Sequence, residues 1–445
     1  MIGLDVNRLP AGWALSPLDS VSEVVISNVD KKDYADQQRV KLCNYTDVYY
    51  REAILDRDDY MPSTASPEQI ERFTVQRGDV AITKDSETAD DIGRPSYAPD
   101  SIPGLIYGYH LAIYRPFDKR IGRFIRYLFE SLPVRAELHA RTPGVTRVGL
   151  SMDTLRNLRV PLPTPSLATQ IADYLDHETA EFDKLIADLQ SFDTIYTERQ
   201  MAQVSDLIAY PADLSTSHAC ASGIVKAKYQ GDIALGKMLD ARQEDPDSTT
   251  HPYLRAANVQ PMGKLALEDI KHMRFTHREA AHLTIRGGDV LVVEGGVGGY
   301  GRAAYVSEDI PETGFQNSIL RLRPHAHADG RFITYALLLL RHRGYMKMAA
   351  SVTSMPHFTV DKLANTPIPL MNLTRQTEIA DELDAMWQRV DAVRDEGKRA
   401  VALARERRAA LITAAVTGQI DVTARHKPAA EQLEDDIAQG LHREN

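Results

Sequence analysis

The stretch Leu167–Asp176, LATQIADYLD, is written again as Arg375–Asp384, RQTEIADELD, 208 positions later. Thr169, Ile171, Ala172, Asp173, Leu175 and Asp176 return unchanged as Thr377, Ile379, Ala380, Asp381, Leu383 and Asp384. The correspondence runs on, from Asp183 to Asp391 and from Glu198-Arg199 to Glu406-Arg407, with Val204 answered by Ile412. A repeat this long is read as duplication before any other feature is weighed. The unit far exceeds a solenoid repeat, so two fused copies of one domain-plus-helix module are expected.

Upstream the spacing holds. Gly122-Arg-Phe-Ile-Arg-Tyr127 becomes Gly330-Arg-Phe-Ile-Thr-Tyr335, Arg115-Pro116 becomes Arg323-Pro324, and Gly93-Arg94 becomes Gly301-Arg302. Further back it drifts: Gly78-Asp79-Val80 answers to Gly288-Asp289-Val290, and Asn44 to Asn258. Insertions therefore lie in the early part of each globular half.

At 445 residues the chain is long enough for two to four domains. The net charge of -10 and pI near 5.8 do not advertise a nucleic-acid binder. Two cysteines, Cys43 and Cys220, have no metal-ligand spacing and read as ordinary thiols of a cytosolic protein. The start, Met1 to Pro10, carries Asp5, Asn7 and Arg8 and does not read as a signal peptide. The longest apolar run, near Tyr335–Leu340, is far short of a membrane span, so a soluble protein is expected.

The pattern divides the chain into a mixed domain over 1–165, a helix over 166–210, a linker over 211–226, a second domain over 227–372, a helix over 373–420 and a polar tail over 421–445. Short β-rich runs fall at Glu23–Ile26, Arg39–Leu42, Asp79–Thr83 and His110–Tyr114, and a helix is expected over Gly122–Glu130. Pro161, Pro163 and Pro165 form a stiff joint before Ser166, which is placed as an N-cap. Beyond it, Ile171, Leu175, Phe182, Leu185, Leu189, Phe192 and Tyr196 make a heptad seam that skips Glu178, on a helix that runs about 60 Å. Ile379, Leu383, Met386, Val390 and Val393 repeat it. Neither stripe has an evident partner in its own half, so the helices are expected to bury each other as an antiparallel pair through Ile171, Leu175, Phe182, Leu189, Ile379, Leu383 and Val390. The alternative is that each helix packs on its own domain. The expected fold class is α+β: two duplicated mixed α/β domains separated by two long antiparallel helices forming a coiled coil, in a pseudo-twofold arrangement.

Gly296-Val-Gly298-Gly-Tyr-Gly301 matches the dinucleotide fingerprint, which requires a helix to open at its end. Arg302–Val306 reads instead as a strand, so a glycine-rich hairpin is expected. Glu396-Gly-Lys398 lies on a long helix, and Asn365-Thr-Pro367 sits at a domain exit. No phosphate-binding G-x-x-x-x-G-K-[ST] loop and no His/Cys cluster occurs. No catalytic or metal-ligating set stands out.

Charge is unevenly placed. Arg115–Arg159 holds ten basic residues against four acids, and Arg321–Lys362 holds seven against two. A local basic surface can engage phosphates whatever the overall sum. Base reading needs polar groups on loops, offered in the first half by Lys84, Ser86, Arg94, Tyr97, Arg141, Thr146 and Arg147. In the second half they are Asn258, Gly298, Tyr300, Arg302, Ser351, Thr353, Ser354 and His357.

The order of these features resembles the specificity subunit of type I restriction-modification systems. Leu9-Pro-x-Gly-Trp13, Asn44-Tyr-Thr-Asp-Val48, Tyr253-Leu-Arg-Ala-Ala-Asn-Val259, Gly288-Asp-Val-Leu291, the paired Gln/Glu-Ile-Ala helices and Leu411-Ile-Thr-Ala-Ala-Val-Thr-Gly418 carry the resemblance, over roughly 9–422. It implies two target-recognition domains, each reading one part of a split, asymmetric site in double-stranded DNA, and helical spacers that dock methyltransferase subunits (two of them) and a restriction/translocase subunit. It implies a non-catalytic cytoplasmic chain of a bacterium or archaeon, with S-adenosylmethionine, ATP and Mg in the partners and no cofactor here. Half-sites read from one face of DNA lie about 34 Å apart. Two rivals stand beside this reading: a coiled-coil adaptor that does not touch DNA, and a nucleotide-dependent enzyme using the loop at 295–301.

Overall fold

A computed structural model describes residues 9–88, 91–142, 148–210, 223–239, 247–296, 299–349 and 356–422. The chain forms two compact units, residues 1–189 with 399–445 and residues 190–398. Each long helix therefore begins in one unit and ends in the other.

Within the first unit the strand Val80–Thr83 lies inside an antiparallel sheet, in the order Ser22–Ile26, Leu111–Pro116, Val80–Thr83, Pro95–Tyr97. Side chains alternate across a strand, and here the alternation separates two cores. Val80, Ile82, Ala112, Tyr114 and Val24 face a core built with helices, whereas Ala81, Ile113, Val25 and Leu111 face a second sheet. With both faces covered, the strand must be apolar throughout, which is why Val80-Ala81-Ile82 shows no polar alternation. The second sheet runs Met61–Ala65, Gln38–Cys43, Ile102–Tyr107, Thr74–Val75, with its middle pair parallel.

The second unit repeats the plan. Its sheet runs Gly231–Leu235, Ile319–Pro324, Val290–Val293, Ala303–Tyr305. Val290 and Val292 face the helical core, and Leu291 and Val293 the other sheet. That second sheet, Lys271–Thr276, Ser248–Leu254, Gly314–Phe315, again contains a parallel pair. The helices Gly122–Glu130 and Gly330–His342 cover the equivalent faces. Each begins on a glycine because a Cβ there would stand 2.4 Å from a backbone carbonyl, that of Gly78 or of Gly288.

The first long helix spans Pro165–Ile208, two residues earlier than Ser166 as cap would allow. Thr164 is the cap: its carbonyl accepts from Ala168 N at 2.9 Å, and Pro165 takes the first helical position, where a missing N–H costs nothing. The helix ends at Ala209, which turns out with φ 51°. The second long helix spans Leu373–Val416, capped by Asn372, whose side chain accepts from Arg375 N at 2.9 Å.

The continuous heptad seam is not observed. Ile171, Ala172 and Leu175 are buried in the first unit together with Ile412, Ala415 and Val416, but in the same core as the helix Gly122–Glu130. In the second unit Met201, Val204 and Ile208 share a core with Ile379, Ala380, Leu383, Met386 and Trp387, with Val390 packed at its edge. Between these blocks Leu185 and Phe192 stand half exposed (48 and 50%), and Phe182 and Leu189 are only partly buried. The helices thus bury each other and their domains at once, and the middle is joined by polar contacts. Asp183 pairs with Arg408 at 2.9 Å, and farther along Asp193 pairs with Arg394, which also reaches Thr197 at 2.9 Å. One partner number rises as the other falls, so the helices run antiparallel.

The motif Leu9-Pro-x-Gly-Trp13 and the ending Val416-Thr-Gly418 form one site. Gly418, at φ 71°, sits so close to Pro10 that a Cβ would stand 2.5 Å from its ring, and Trp13 packs edge-on against Phe124 at 6.4 Å.

Candidate nucleic-acid interface

Most cations of the two basic segments are spent inside the fold. Arg115 binds the fully buried Asp79 through two bonds of 3.0 Å, and Arg323 binds Asp289 through two of 2.8 Å. Arg123 reaches Asp173 and Asp176, as Arg331 reaches Asp381 and Asp384. Arg126 bridges Glu52 and Glu130, Arg120 holds Asp118, and Arg141 holds Glu137. Arg321 donates to the carbonyls of His282 and Thr284, and Arg343 to Ser205. Burial pushes the Asp79 carboxyl above its ordinary value although Arg115 opposes the shift. The recurrence of basic segments in both halves therefore reflects a repeated set of structural ion pairs, not a repeated phosphate-binding surface.

The loops proposed for base reading do converge, twice. In the first unit Asp85–Ser86, directly after the buried strand, pairs with Val148–Gly149, and Leu150 N donates to Lys84 O at 2.9 Å. In the second, Gly295 bridges to His357 and Phe358 N donates to Glu294 O at 2.6 Å. The same juxtaposition, across about sixty residues of chain, is thus built in both copies. Lys84 Nζ contacts both Asp85 oxygens at 2.7 Å, and His110 Nδ1 meets the same carboxylate at 2.9 Å. Burial disfavours the Asp85 charge, but the bonds from Lys84 and His110 outweigh it and hold the carboxyl below its ordinary value. His357 Nδ1 lies 2.9 Å from Glu294.

Other predicted site residues separate into classes. Arg94 lies over the Tyr49 ring at 5.7 Å, its Nε without a partner among the described residues. It lines a groove of about 590 Å³ with Tyr49, Arg135, Arg405 and Arg408. Its counterpart Arg302 also has an unpartnered Nε, while the Tyr300 carbonyl accepts from Arg341. Asn258 is a correction: it is buried, and its amide is consumed by the carbonyls of Ala266 and Asp269 and the N–H of Arg255, leaving nothing for a base. Ser86 is buried as well and accepts from Thr88 N. Tyr97 is likewise structural, a strand residue whose ring wedges against Gly122, and burial raises its hydroxyl above the ordinary value. Arg141 is held by Glu137. Thr146, Arg147, Gly298, Ser351, Thr353 and Ser354 lie outside the described residues. Asp85, His110 and Glu294 were missed from sequence; the signal available for Glu294 was a charged residue set immediately after the uninterrupted buried strand Val290–Val293.

The strands on either side of the glycine-rich segment pair with each other, as expected of a hairpin. Val290–Val293 pairs antiparallel with Ala303–Tyr305, and among the described residues no helix opens there to receive a phosphate. Among the described residues no group of three His, Cys, Asp or Glu side chains is placed to hold a metal, and no helix is long and apolar enough to cross a membrane.

Residues 228–396 match the type I restriction modification DNA specificity domain. Residues 228–396 carry the DNA specificity domain of type I restriction-modification systems. The first unit repeats the strand order of the main sheet and the loop bridge of the second. One solved structure agrees in fold. A chain from a study of complex assembly and conformational transition of the type I R-M system shares 16% identity at a TM-score of 0.59, over 93% of this chain and 100% of that one. The HsdS subunit of Thermoanaerobacter tengcongensis (16% identity, TM-score 0.42) and the type I S subunit of M. genitalium (15%, 0.37) are also matched, each over 93% of this chain and 98% of theirs. No curated protein matches the sequence.

Proposed function

We propose that this chain is the address-reading subunit of a type I restriction-modification complex and that it reads a split, asymmetric target in double-stranded DNA. Residues 1–165 read one half-site and residues 227–372 the other. The helices over 166–210 and 373–420 set the unread gap and offer the docking surface for two methyltransferase subunits and a restriction/translocase subunit. This chain supplies no catalysis; S-adenosylmethionine, ATP and Mg belong to the partners.

The observation that carries the reading is the twofold occurrence of the loop bridge, at Ser86–Val148 and at Gly295–His357, in a chain with a specificity-domain match. Polar groups on loops fixed by a rigid sheet suit groove reading. The different residues at the two bridges favour two different half-sites. Sequencing methylated DNA from a host that expresses this chain with its methyltransferase tests the proposal. A methylated motif in two parts with an unread gap supports it; a single contiguous motif, or methylation that does not depend on this chain, overturns it.

A further inference from the structure

The two loop bridges carry opposite chemistry at equivalent positions. Lys84 and Glu294 each follow the central buried strand, and the carbonyl of each accepts from the returning segment, from Leu150 N or Phe358 N. In the first unit the cluster closes on itself: Asp85 takes both Lys84 and His110, and its carboxylate is three-quarters shielded from solvent. In the second, glycine follows Glu294, and His357 is its one ion-pair partner among the described residues.

The backbone around Glu294 and His357 is fixed. Val293 and Phe358 are fully buried, Gly295 bridges to His357, and Lys362 Nζ donates to the His357 carbonyl at 2.7 Å. Gly295 is required by contact, since a Cβ there would stand 2.8 Å from His357 Nδ1. With Nδ1 engaged by Glu294, the second carboxylate oxygen and His357 Nε2 meet no partner among the described residues, and the imidazole is about half exposed. The free carboxylate oxygen of Glu294 is an acceptor, with His357 Nε2 beside it.

Resting on the DNA reading above, we infer that Glu294 and His357 are a specificity-determining pair that selects a base with an exocyclic amino group, cytosine N4 or adenine N6, in the half-site of the second unit. A carboxylate accepts from such an amine in the major groove and rejects the carbonyl edges of guanine and thymine. Held on a buried frame, the pair meets its base without further ordering. Lys84, Asp85 and His110, self-satisfied at the same place in the first unit, exert no such selection.

The test is selection of duplexes from a randomised library by the assembled complex, followed by sequencing, for the natural chain, Glu294→Gln and His357→Gln. The amide turns one acceptor into a donor. Expected is a loss on the order of ten-fold in preference for the amino-bearing base at one position of one half-site, with the other half-site unchanged. A Glu294→Gln complex that assembles and selects the parental sequence at every position overturns the inference. If that variant does not assemble, the exposed His357→Gln decides by the same criterion. Selection of no motif by the natural complex would instead refute the DNA reading itself.

Discussion

The Tyr335 hydroxyl donates to Asp384 at 2.6 Å, fastening the helix Gly330–His342 to the second long helix, and Arg331 meets the other oxygen of that carboxylate at 2.8 Å. Tyr127, Arg123 and Asp176 repeat the clasp in the first unit at 2.7 and 2.5 Å. Burial, then the neighbouring carboxylate, drives the Tyr335 hydroxyl far above its ordinary value, so it stays a donor at any working pH. Tyr335→Phe is expected to cost about 0.5–1.5 kcal/mol, and Asp384→Ala about 1–3 kcal/mol because a buried donor loses its acceptor. Chemical denaturation measures both; an unchanged midpoint for Asp384→Ala would show that the clasp contributes nothing.

Asp79 and Arg115 make a separate test. Removing the carboxylate alone leaves a largely buried guanidinium uncompensated, so Asp79→Ala should destabilise the protein by about 3–5 kcal/mol. Replacing both, as Asp79→Leu with Arg115→Met, should recover most of that loss, since an apolar pair of similar volume avoids the desolvation of two charges. A double variant no better than the single one would contradict this account.

Gly122→Ala and Gly330→Ala set helix propensity against packing. Alanine in a helix is favoured over glycine by about 1 kcal/mol. Here the added methyl would press on a carbonyl at 2.4 Å, and backbone does not yield cheaply. Net destabilisation of about 1–3 kcal/mol is expected in thermal melts; a raised Tm for either variant would refute the close approach.

Acid sensitivity should centre partly on Asp85. Its carboxyl is held below the ordinary 3.8 by Lys84 and His110, against the effect of burial. The sign follows: the stabilisation is complete above the unfolded value and is lost as pH falls through the lower folded value. Asp85→Asn should therefore flatten the fall of stability below about pH 4, measured by denaturation across pH 2–7. An identical acid limb in wild type and variant would remove Asp85 from the account.

Arg302 is expected to act on DNA and not on the fold. Among the described residues its Nε, itself buried, has no partner and no carboxylate pairs with the guanidinium as with Arg323 and Arg331. Arg302→Ala in the assembled complex should weaken duplex binding about ten-fold and reduce its salt dependence while the melting temperature stays the same. Full affinity in a fluorescence titration would exclude this residue from the interface.

The duplication, the two long helices, the domain-covering helix at Gly122 and the strands on either side of the glycine-rich segment were all legible in the sequence. Each is local, written in residue spacing or in the repeat itself. The fate of charges was not legible. Arg115, Arg123, Arg323 and Arg331 look in sequence like phosphate ligands, yet their carboxylate partners lie between about 34 and 53 positions away. Asn258, polar and in a loop, was a plausible base reader until its amide proved to be spent on Ala266 and Asp269. The heptad seam failed in its middle for a related reason. Periodicity marks which face of a helix is apolar, but only the packed structure decides how much of that face a partner covers.

By itself the sequence determined that one module was doubled and how its helices and strands are spaced, because those properties depend on neighbours within a few residues. Tertiary structure alone decided that Lys84 and Glu294 emerge at equivalent points beside Val148–Gly149 and His357. Such meetings are fixed by sheet register and by close approaches such as Gly122 to Gly78, and no local pattern encodes which distant groups they bring into contact.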